Sequence, residues 1–306
     1  MAIDRATLHQ LKIFNTLARH MSVARTAEAM HMTPPAVSIQ VKQLSETVGL
    51  PLLEQVGKQL YLTDAGKTVA VACHDLFDRL ERLSQDLAMN QGLQKGSLRL
   101  SIITTAQYFI PHLLGDFCAQ HPGIDVSLSV GNRQSILERL AHNRDDLYIL
   151  GQPPDNIKVT ALPFAPNPLV AIANPDHPLA GEKAIPPRRL GEESFIAREE
   201  GSGTRLAYED FFRRNKTGLK IRMELGSNEA VTQAVAGRLG ISILSQSTVR
   251  AEVASGQLAV LDVQGLPLQR NWYVVHLQKK HQTPASMAFQ DFLLSQPETG
   301  DISQKT

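Results

Sequence analysis

From its start the chain repeats apolar residues at a helical period. Leu8, Leu11, Phe14 and Leu17 share one face of a helix expected from about Arg5 to His20. A second short helix, "SVARTAEAMHM", is capped by Ser22, and its small Ala24, Ala27 and Ala29 allow another helix to approach closely. The next stripe is Val37, Val41, Leu44 and Val48, and two prolines stand in front of it in "HMTPPAVSIQVKQL". Proline lacks an N–H, but the first helical residue needs none, and its fixed φ suits a helix start. Thr33 is therefore the expected N-cap, with Pro34 and Pro35 in the first turn and Gly49 as the stop. The opposite face of this third helix carries Pro35, Ser38, Ile39, Lys42 and Glu46. Val56-Gly57-Lys58 and Leu60-Tyr61-Leu62 look like two short strands of a wing. Three helices with a turn near His31 and Met32 fit a helix-turn-helix, and spacing alone fits a plain helical bundle as well. The capped, polar-faced third helix and the hairpin carrying Lys58 favour the first reading.

After Thr63-Asp64 a helical run continues to about Asn90. Val69, Cys73, Leu76, Leu80, Leu83 and Leu87 recur at alternating steps of four and three, a coiled-coil seam. At ~1.5 Å per residue such a helix is about 40 Å long. It is expected to pair with a second copy; the alternative is packing on its own chain. "NQGLQKGS" reads as hinge and linker.

From Ser97 the pattern becomes an alternation of strand and helix. "SLRLSII", "IDVSLSV" and "DDLYILG" read as strands, and "TTAQYFIPHLLGDFCAQHP" and "RQSILERLAHN" as helices. Prolines 163, 166, 168, 175 and 178 punctuate a crossing into a second unit near residue 165. That unit holds "LVAIAN", "SFIARE", "GTRLAYEDFFRRN", "LKIRMEL", "NEAVTQAVAGR" and "GISILS". Near Gly265 the chain crosses back, so that "NWYVVHL" and the helix "SMAFQDFLL" rejoin the first unit. Two α/β lobes joined by two crossings make a clamshell, with ligands expected where strand C-termini meet helix N-termini.

Composition narrows the function. The net charge is +1, and residues 1–62 hold six basic against four acidic side chains, so nucleic-acid contact has to be local. Cys73 and Cys118 support neither a disulfide framework nor a zinc site. The ten histidines form no H-x-x-H pair, and no Walker A loop or G-x-S-x-G elbow is present. The start is mixed and charged, and no apolar run reaches membrane-span length, so a cytoplasmic protein without enzymatic chemistry is expected.

The strongest small-molecule candidate is "REEGSGTR", residues 198–205. Gly201 and Gly203 let backbone N–H groups face one side, Ser202 and Thr204 add hydroxyls, and Arg198 and Arg205 add charge: an anion site at a helix N-terminus. Thr104, Thr105, Gly131, Asn132, Ser135, Asn228 and Glu229 follow other strands and are expected around the same cleft. Each alone also reads as an ordinary cap, and Glu199 and Glu200 oppose an anion if they turn inward.

The stretch "LKIFNTLARHMSVARTAEAMHMTPPAVSIQVKQLSETVGLPLLEQVGKQLYLTDAGK" resembles the DNA-binding domain of LysR-type transcriptional regulators. "REEGSGTR" and "ELGSNEAVTQAVAGRLGISILS" are most similar to the rubisco-operon branch, which governs carbon fixation in the Calvin cycle. The resemblance implies an all-α winged helix-turn-helix domain over residues 1–63 and a linker and dimerisation helix over 64–91. A hinge at 92–96 then leads into an α/β effector domain of the type II periplasmic-binding-protein kind. Lobe I would comprise 97–164 and 266–296, lobe II 165–265, and 297–306 a polar tail. It implies promoter double-stranded DNA as partner, met by Ser22, Arg25, Thr33, Pro34, Pro35, Ser38, Ile39, Gln40, Lys42 and Lys58. A homodimer or homotetramer is expected, with RNA polymerase as a further candidate partner. The effector would be a small anionic or phosphorylated metabolite, such as a sugar phosphate or NADPH, with no bound cofactor or metal. Two positions depart from the family habit. Pro34 and Ile39 stand where Gln and Arg are frequent, so Pro34 offers no hydrogen bond to a base and Ile39 only apolar contact.

Overall fold

The computed structural model describes residues 5–57, 59–90 and 96–296, side chains at 81, 82 and 84–90 excepted. It divides into two compact units, residues 1–91 and 92–306.

In the first unit, α1 (Leu8–His20) opens with a reciprocal Thr7/Gln10 capping box, α2 (Val23–Ala29) is capped by Ser22, and α3 (Pro34–Val48) is capped by Thr33. Gly49 ends α3 in the left-handed region, as expected. The second helix is shorter than the sequence suggests. It stops at Ala29, and His31 takes a positive φ in the turn. Ile13, Phe14, Leu17, Val37, Val41 and Leu44 make the core between the helices. The wing is the antiparallel pair β1 (Leu53–Val56) and β2 (Gln59–Leu62), starting three residues earlier than expected; Lys58 lies outside the described residues. Thr63 links wing and long helix, its hydroxyl donating to the Pro51 carbonyl at 2.6 Å and accepting from the Gly66 N–H. A Cβ at Gly66 would overlap the Leu52 carbonyl oxygen, so only glycine lets the helix sit this close.

The long helix α4 spans Asp64–Asn90, as its seam predicts, but the seam is divided into a buried and an exposed part. Val69 and Cys73 are buried in the core of their own domain, whereas Leu76, Leu80 and Leu83 are exposed. Burial pushes the Cys73 thiol up to about 11. The Leu87 side chain, all of the expected 92–96 hinge except Gly96, which starts a strand, and the tail from 297 lie outside the described residues.

In the second unit a five-stranded mixed sheet forms lobe I. It contains β3 (Gly96–Ile103), β4 (Ile124–Gly131), β5 (Leu147–Leu150), β6 (Val159–Pro166) and, from far downstream, a returning strand at Asn271–Leu277. A 3₁₀ turn, Thr104–Tyr108, follows β3, and then α5 (Ile110–Gln120) begins. The single helix expected over this stretch is broken because Pro111 fits only a first turn, which forces a restart at Ile110. α6 (Arg133–Ala141) covers the sheet after β4. Strand β6 is absent from the sequence reading, where Pro163 and Pro166 look like loop punctuation. It forms the sheet edge, where a strand tolerates prolines.

Lobe II contains β7 (Leu169–Ala173), α7 (Pro187–Glu192), β8 (Ser194–Arg198), α8 (Gly203–Arg214), β9 (Lys220–Leu225), α9 (Asn228–Ala236), β10 (Ser242–Ser245), α10 (Gln246–Ala254) and β11 (Ala259–Val260). β10 and β11 flank β7, and parallel β8 and β9 join them through the Phe195–Ile241 bridge. The chain then returns as β12 (Asn271–Leu277), antiparallel between β5 and β6, and α11 (Pro284–Ser295) closes on lobe I through Phe289 and Leu293. The two crossings run side by side, with Asn167 N–H donating to the Arg270 carbonyl and Leu169 pairing with Leu268. This is the two-lobed type II periplasmic-binding-protein architecture. Among the described residues no helix is long and apolar enough to cross a membrane.

Candidate functional site

The outer face of α3 is the first candidate. Its inner face is consumed by the core, so Pro34, Pro35, Ser38, Ile39 and Lys42 are exposed and Gln40 partly so. Ile39, a large apolar side chain, keeps 54% of its surface open. The Ser38 hydroxyl donates to the Pro34 carbonyl at 3.1 Å, and Lys42 lies 4.0 Å from Glu46, a loose surface pair. Arg25 is exposed on α2. Ser22 and Thr33 spend their hydroxyls on the caps of α2 and α3 and orient the two helices.

The second candidate lies between the lobes of the C-terminal unit. Thr104, Thr105, Asn132, Arg133, Arg198, Ser202, Gly203 and Thr204 converge there from three separate loops. The space they enclose is about 10 Å³, room for a single water, so the pocket at Arg198 is shut, while a larger space of about 1120 Å³ adjoins it between the lobes. Arg198 is the centre of the shut pocket, buried to 1% exposure at the C-terminus of β8. Its guanidinium pairs with Glu199 at 2.7 and 2.9 Å, donates to the Asn228 side-chain oxygen, and reaches Thr104 of the other lobe at 3.5 Å. The Tyr208 hydroxyl accepts from the Arg198 backbone N–H. Asn228 Nδ2 and Thr232 Oγ1, one helical turn apart on α9, are buried with no hydrogen-bond partner.

Loop and helix termini hold the lobes together. Gly201 has φ +82, and a Cβ there would press on the Gln134 side chain; one at Gly203 would stand 3.3 Å from Arg133. Glu229, on α9, accepts from Gln107 and Tyr108 of lobe I, both at 2.7 Å. Burial opposes ionisation of Glu229, but hydrogen bonds from its own backbone and from Tyr108 outweigh it and hold the carboxyl below its ordinary value. Burial first, and then the Glu229 carboxylate, push the Tyr108 hydroxyl in the opposite direction.

The family profile described as "Bacterial regulatory helix-turn-helix protein, lysR family" matches residues 8–67, and "LysR substrate binding domain" matches residues 91–298. The chain belongs to the LysR family. Of its LysR relatives, a "RuBisCO operon transcriptional regulator" from Acidithiobacillus ferrooxidans is 57% identical over 98% of this chain and 97% of its own length. The regulatory domain of CcmR from Synechocystis PCC6803, solved in complex with 2-PG, is 50% identical. It covers 65% of this chain and 96% of that one, with a TM-score of 0.64. Full-length OxyR from Pseudomonas aeruginosa, 22% identical over 94% of both chains with a TM-score of 0.72, shares the complete fold. LysR membership makes this chain a transcriptional regulator and not an enzyme, as the sequence reading expects.

Against that LysR frame, the structure brings together most of the expected cleft residues, with different duties. Thr104, Thr105, Asn132, Arg198, Ser202, Gly203 and Thr204 meet at the cleft, and Asn228 meets Arg198. Arg205 does not line it. Its guanidinium is spent on Glu209 at 2.8 Å, Glu224 at 2.6 Å and the Arg198 carbonyl, so it braces the loop from behind. Ser135 and Gly131 shape the start of α6: the Ser135 N–H donates to Asn132 Oδ1 at 2.9 Å, and a Cβ at Gly131 would overlap the Ser135 hydroxyl. Glu199 turns inward, as a counter-ion to Arg198. Arg133, Gln107, Tyr108 and Thr232 escape the sequence reading. Arg133 carried a signal, being the first residue of a helix whose cap, Asn132, was already a candidate.

Proposed function

We propose that this chain is a DNA-binding regulator of carbon-fixation operon transcription, switched by a small anionic metabolite held at Arg198. The observation that carries the switch is the buried group around that guanidinium. Asn228, whose oxygen Arg198 contacts, has an Nδ2 without a partner, Thr232 Oγ1 one turn on has none either, and a buried donor without an acceptor costs about 1–3 kcal/mol. A phosphate or carboxylate entering there accepts from the amide and from Arg198 together. The likeness to the rubisco-operon regulator over nearly the whole chain supports the operon class, and the 2-PG complex of the CcmR relative supports a phosphorylated ligand.

The pocket at Arg198 admits that ligand only by opening, so ligand and lobe angle are linked, and the ligand acts through its different affinities for open and shut forms. Exposed Leu76, Leu80 and Leu83 pair two copies through α4, and dimers associate into tetramers that set several α3 helices along one promoter. Ser38, Gln40 and Lys42 meet base edges or backbone in the major groove, Ile39 a thymine methyl, and Arg25 and the wing the phosphates. The modest charge makes affinity depend on several domains acting together. The protein works in the cytoplasm, beside RNA polymerase. Calorimetry with 2-PG, sugar phosphates and NADPH, with footprinting on the promoter upstream of rubisco genes, tests this. Binding of one compound that shifts the footprint supports it; a protein that protects no such promoter contradicts it.

A further inference from the structure

Every nitrogen of the Arg198 guanidinium already has an acceptor in the shut pocket. Nε and Nη2 form a fork with the Glu199 carboxylate at 2.7 and 2.9 Å, Nη1 donates to Asn228, and Nη2 reaches Thr104 at 3.5 Å. Two parallel N–H···O bonds are what an arginine offers to a carboxylate or a phosphate. Glu199 therefore holds Arg198 in the way an anionic ligand would.

Three observations mark Glu199 as the acceptor that leaves when a ligand arrives. Its side chain is 19% exposed where that of Arg198 is 1% exposed, so it can turn into water while the arginine cannot. Among the described residues its carboxylate has no other partner. Its backbone is pinned, the N–H donating to the Leu225 carbonyl and the carbonyl accepting from the Ser202 N–H, so the side chain swings without moving the loop. The other acid near Arg198, Glu229, is held in place by Tyr108 and Gln107.

The second cation on the pocket wall, Arg133, has no carboxylate fork. It donates to the Gln152 and Pro153 carbonyls, and the Gln152 side chain accepts from Arg270. Burial and then Arg270 lower the proton affinity of Arg133, and Asp155 acts in the opposite direction. With Glu199 in place the charge of Arg198 is matched; with Glu199 turned out, an entering anion meets both guanidiniums.

We infer that Glu199 is a built-in stand-in for the anion of the ligand, neutralising Arg198 until the ligand displaces it. A buried charge without its partner is costly, so Glu199 is what lets the pocket shut without ligand. It also sets which anions bind. A singly charged carboxylate only replaces one carboxylate by another and gains little. A phosphoryl group, which carries up to two charges, brings more to Arg198 and Arg133 than Glu199 takes away. The inference rests on reading Arg198 as the seat of the ligand's anion.

The test is calorimetry on the full chain, with 2-PG, inorganic phosphate and acetate as probes. Wild type, Glu199→Gln, Arg198→Gln and the double variant are compared. Wild type should bind 2-PG and inorganic phosphate but not acetate. Glu199→Gln keeps the size of the side chain and removes its charge. It should tighten 2-PG by about tenfold or more and bring acetate binding into the measurable range. That gain should vanish in the double variant. Without ligand Glu199→Gln should melt below wild type, and 2-PG should close the gap. Weaker or unchanged 2-PG binding by Glu199→Gln, with binding still lost in Arg198→Gln, makes Glu199 a positioning residue and overturns the stand-in alone. Acetate bound by wild type as tightly as phosphate overturns the charge selection. Equal 2-PG binding by wild type and Arg198→Gln, or none by any of the four proteins, overturns the reading of Arg198 and the stand-in together.

Discussion

The Glu229 carboxylate of lobe II accepts the Tyr108 hydroxyl of lobe I at 2.7 Å, and Gln107 donates to the same oxygen. That contact fastens the two lobes across the cleft. Removing it by Tyr108→Phe leaves the fold intact and favours the open form. Since the site is partly exposed, the loss is a modest fraction of a charge-assisted hydrogen bond, roughly a two- to fivefold change in effector affinity by calorimetry. An unchanged affinity would show that the contact does not bias the lobes.

The same carboxylate sets a pH dependence. Glu229 is held below its ordinary value of 4.5, so its contribution is fully present above 4.5 and is lost as pH falls through the lower folded-state value. Effector affinity should therefore fall in acid below that range. In Glu229→Gln the part of the fall due to this group should vanish, giving a flatter profile in parallel titrations.

Substitution at Lys42 checks the outer face of α3. Lys42→Ala should weaken promoter binding roughly uniformly across sequences and reduce the slope of log K against log salt by about one unit, as for one lost phosphate contact. Anisotropy titrations at several salt concentrations read this directly. Ser38→Ala should weaken binding while leaving the oligomer unchanged by ultracentrifugation.

The divided seam of α4 gives a cross-linking prediction. Cysteine at Leu76 or Leu83, in a Cys118→Ser background, should form an intermolecular disulfide under mild oxidation. Native Cys73 should not, because it is 2% exposed within its own domain and its thiol is pushed up to about 11. Dimer bands through Cys73 on a denaturing gel would mean the seam pairs along its whole length.

Gly66 carries the packing of α4 on the wing. Gly66→Ala places a methyl on the Leu52 carbonyl oxygen, a clash that must move backbone. It should cost about 1–3 kcal/mol of domain stability and lower the melting temperature measurably in differential scanning calorimetry.

These cases also show where sequence is legible. The caps Ser22 and Thr33 and the stop Gly49 are local chemistry, and the structure places them where the residues predict. The seam of α4 is a pattern along one helix, and pattern says which face is apolar but not what covers it. The pattern therefore leaves both covers open for Val69 and Cys73, and the structure puts them in the core of their own domain. Strand β6 is hidden because a strand with Pro163 and Pro166 is acceptable at a sheet edge but not at its centre, and edge position is a property of the assembled sheet. Arg205 and Arg198 look equivalent in "REEGSGTR". Only the positions of Glu209 and Glu224 reveal that one braces the loop while the other faces the cleft. Arg270 lies 137 residues from Arg133 in the chain, and their meeting at Gln152 depends on the second crossing.

The central claim is that one chain reads DNA with α3 and senses an anion at Arg198. It is tested most directly by anisotropy titration of the full-length protein on a rubisco-operon promoter duplex, with and without 2-PG. The wild type and Arg198→Lys are compared side by side. The account predicts that 2-PG changes wild-type promoter affinity or stoichiometry, and that the variant binds the same DNA with the 2-PG effect abolished. Equal responses to 2-PG in the two proteins, or no promoter binding by the wild type, would contradict it.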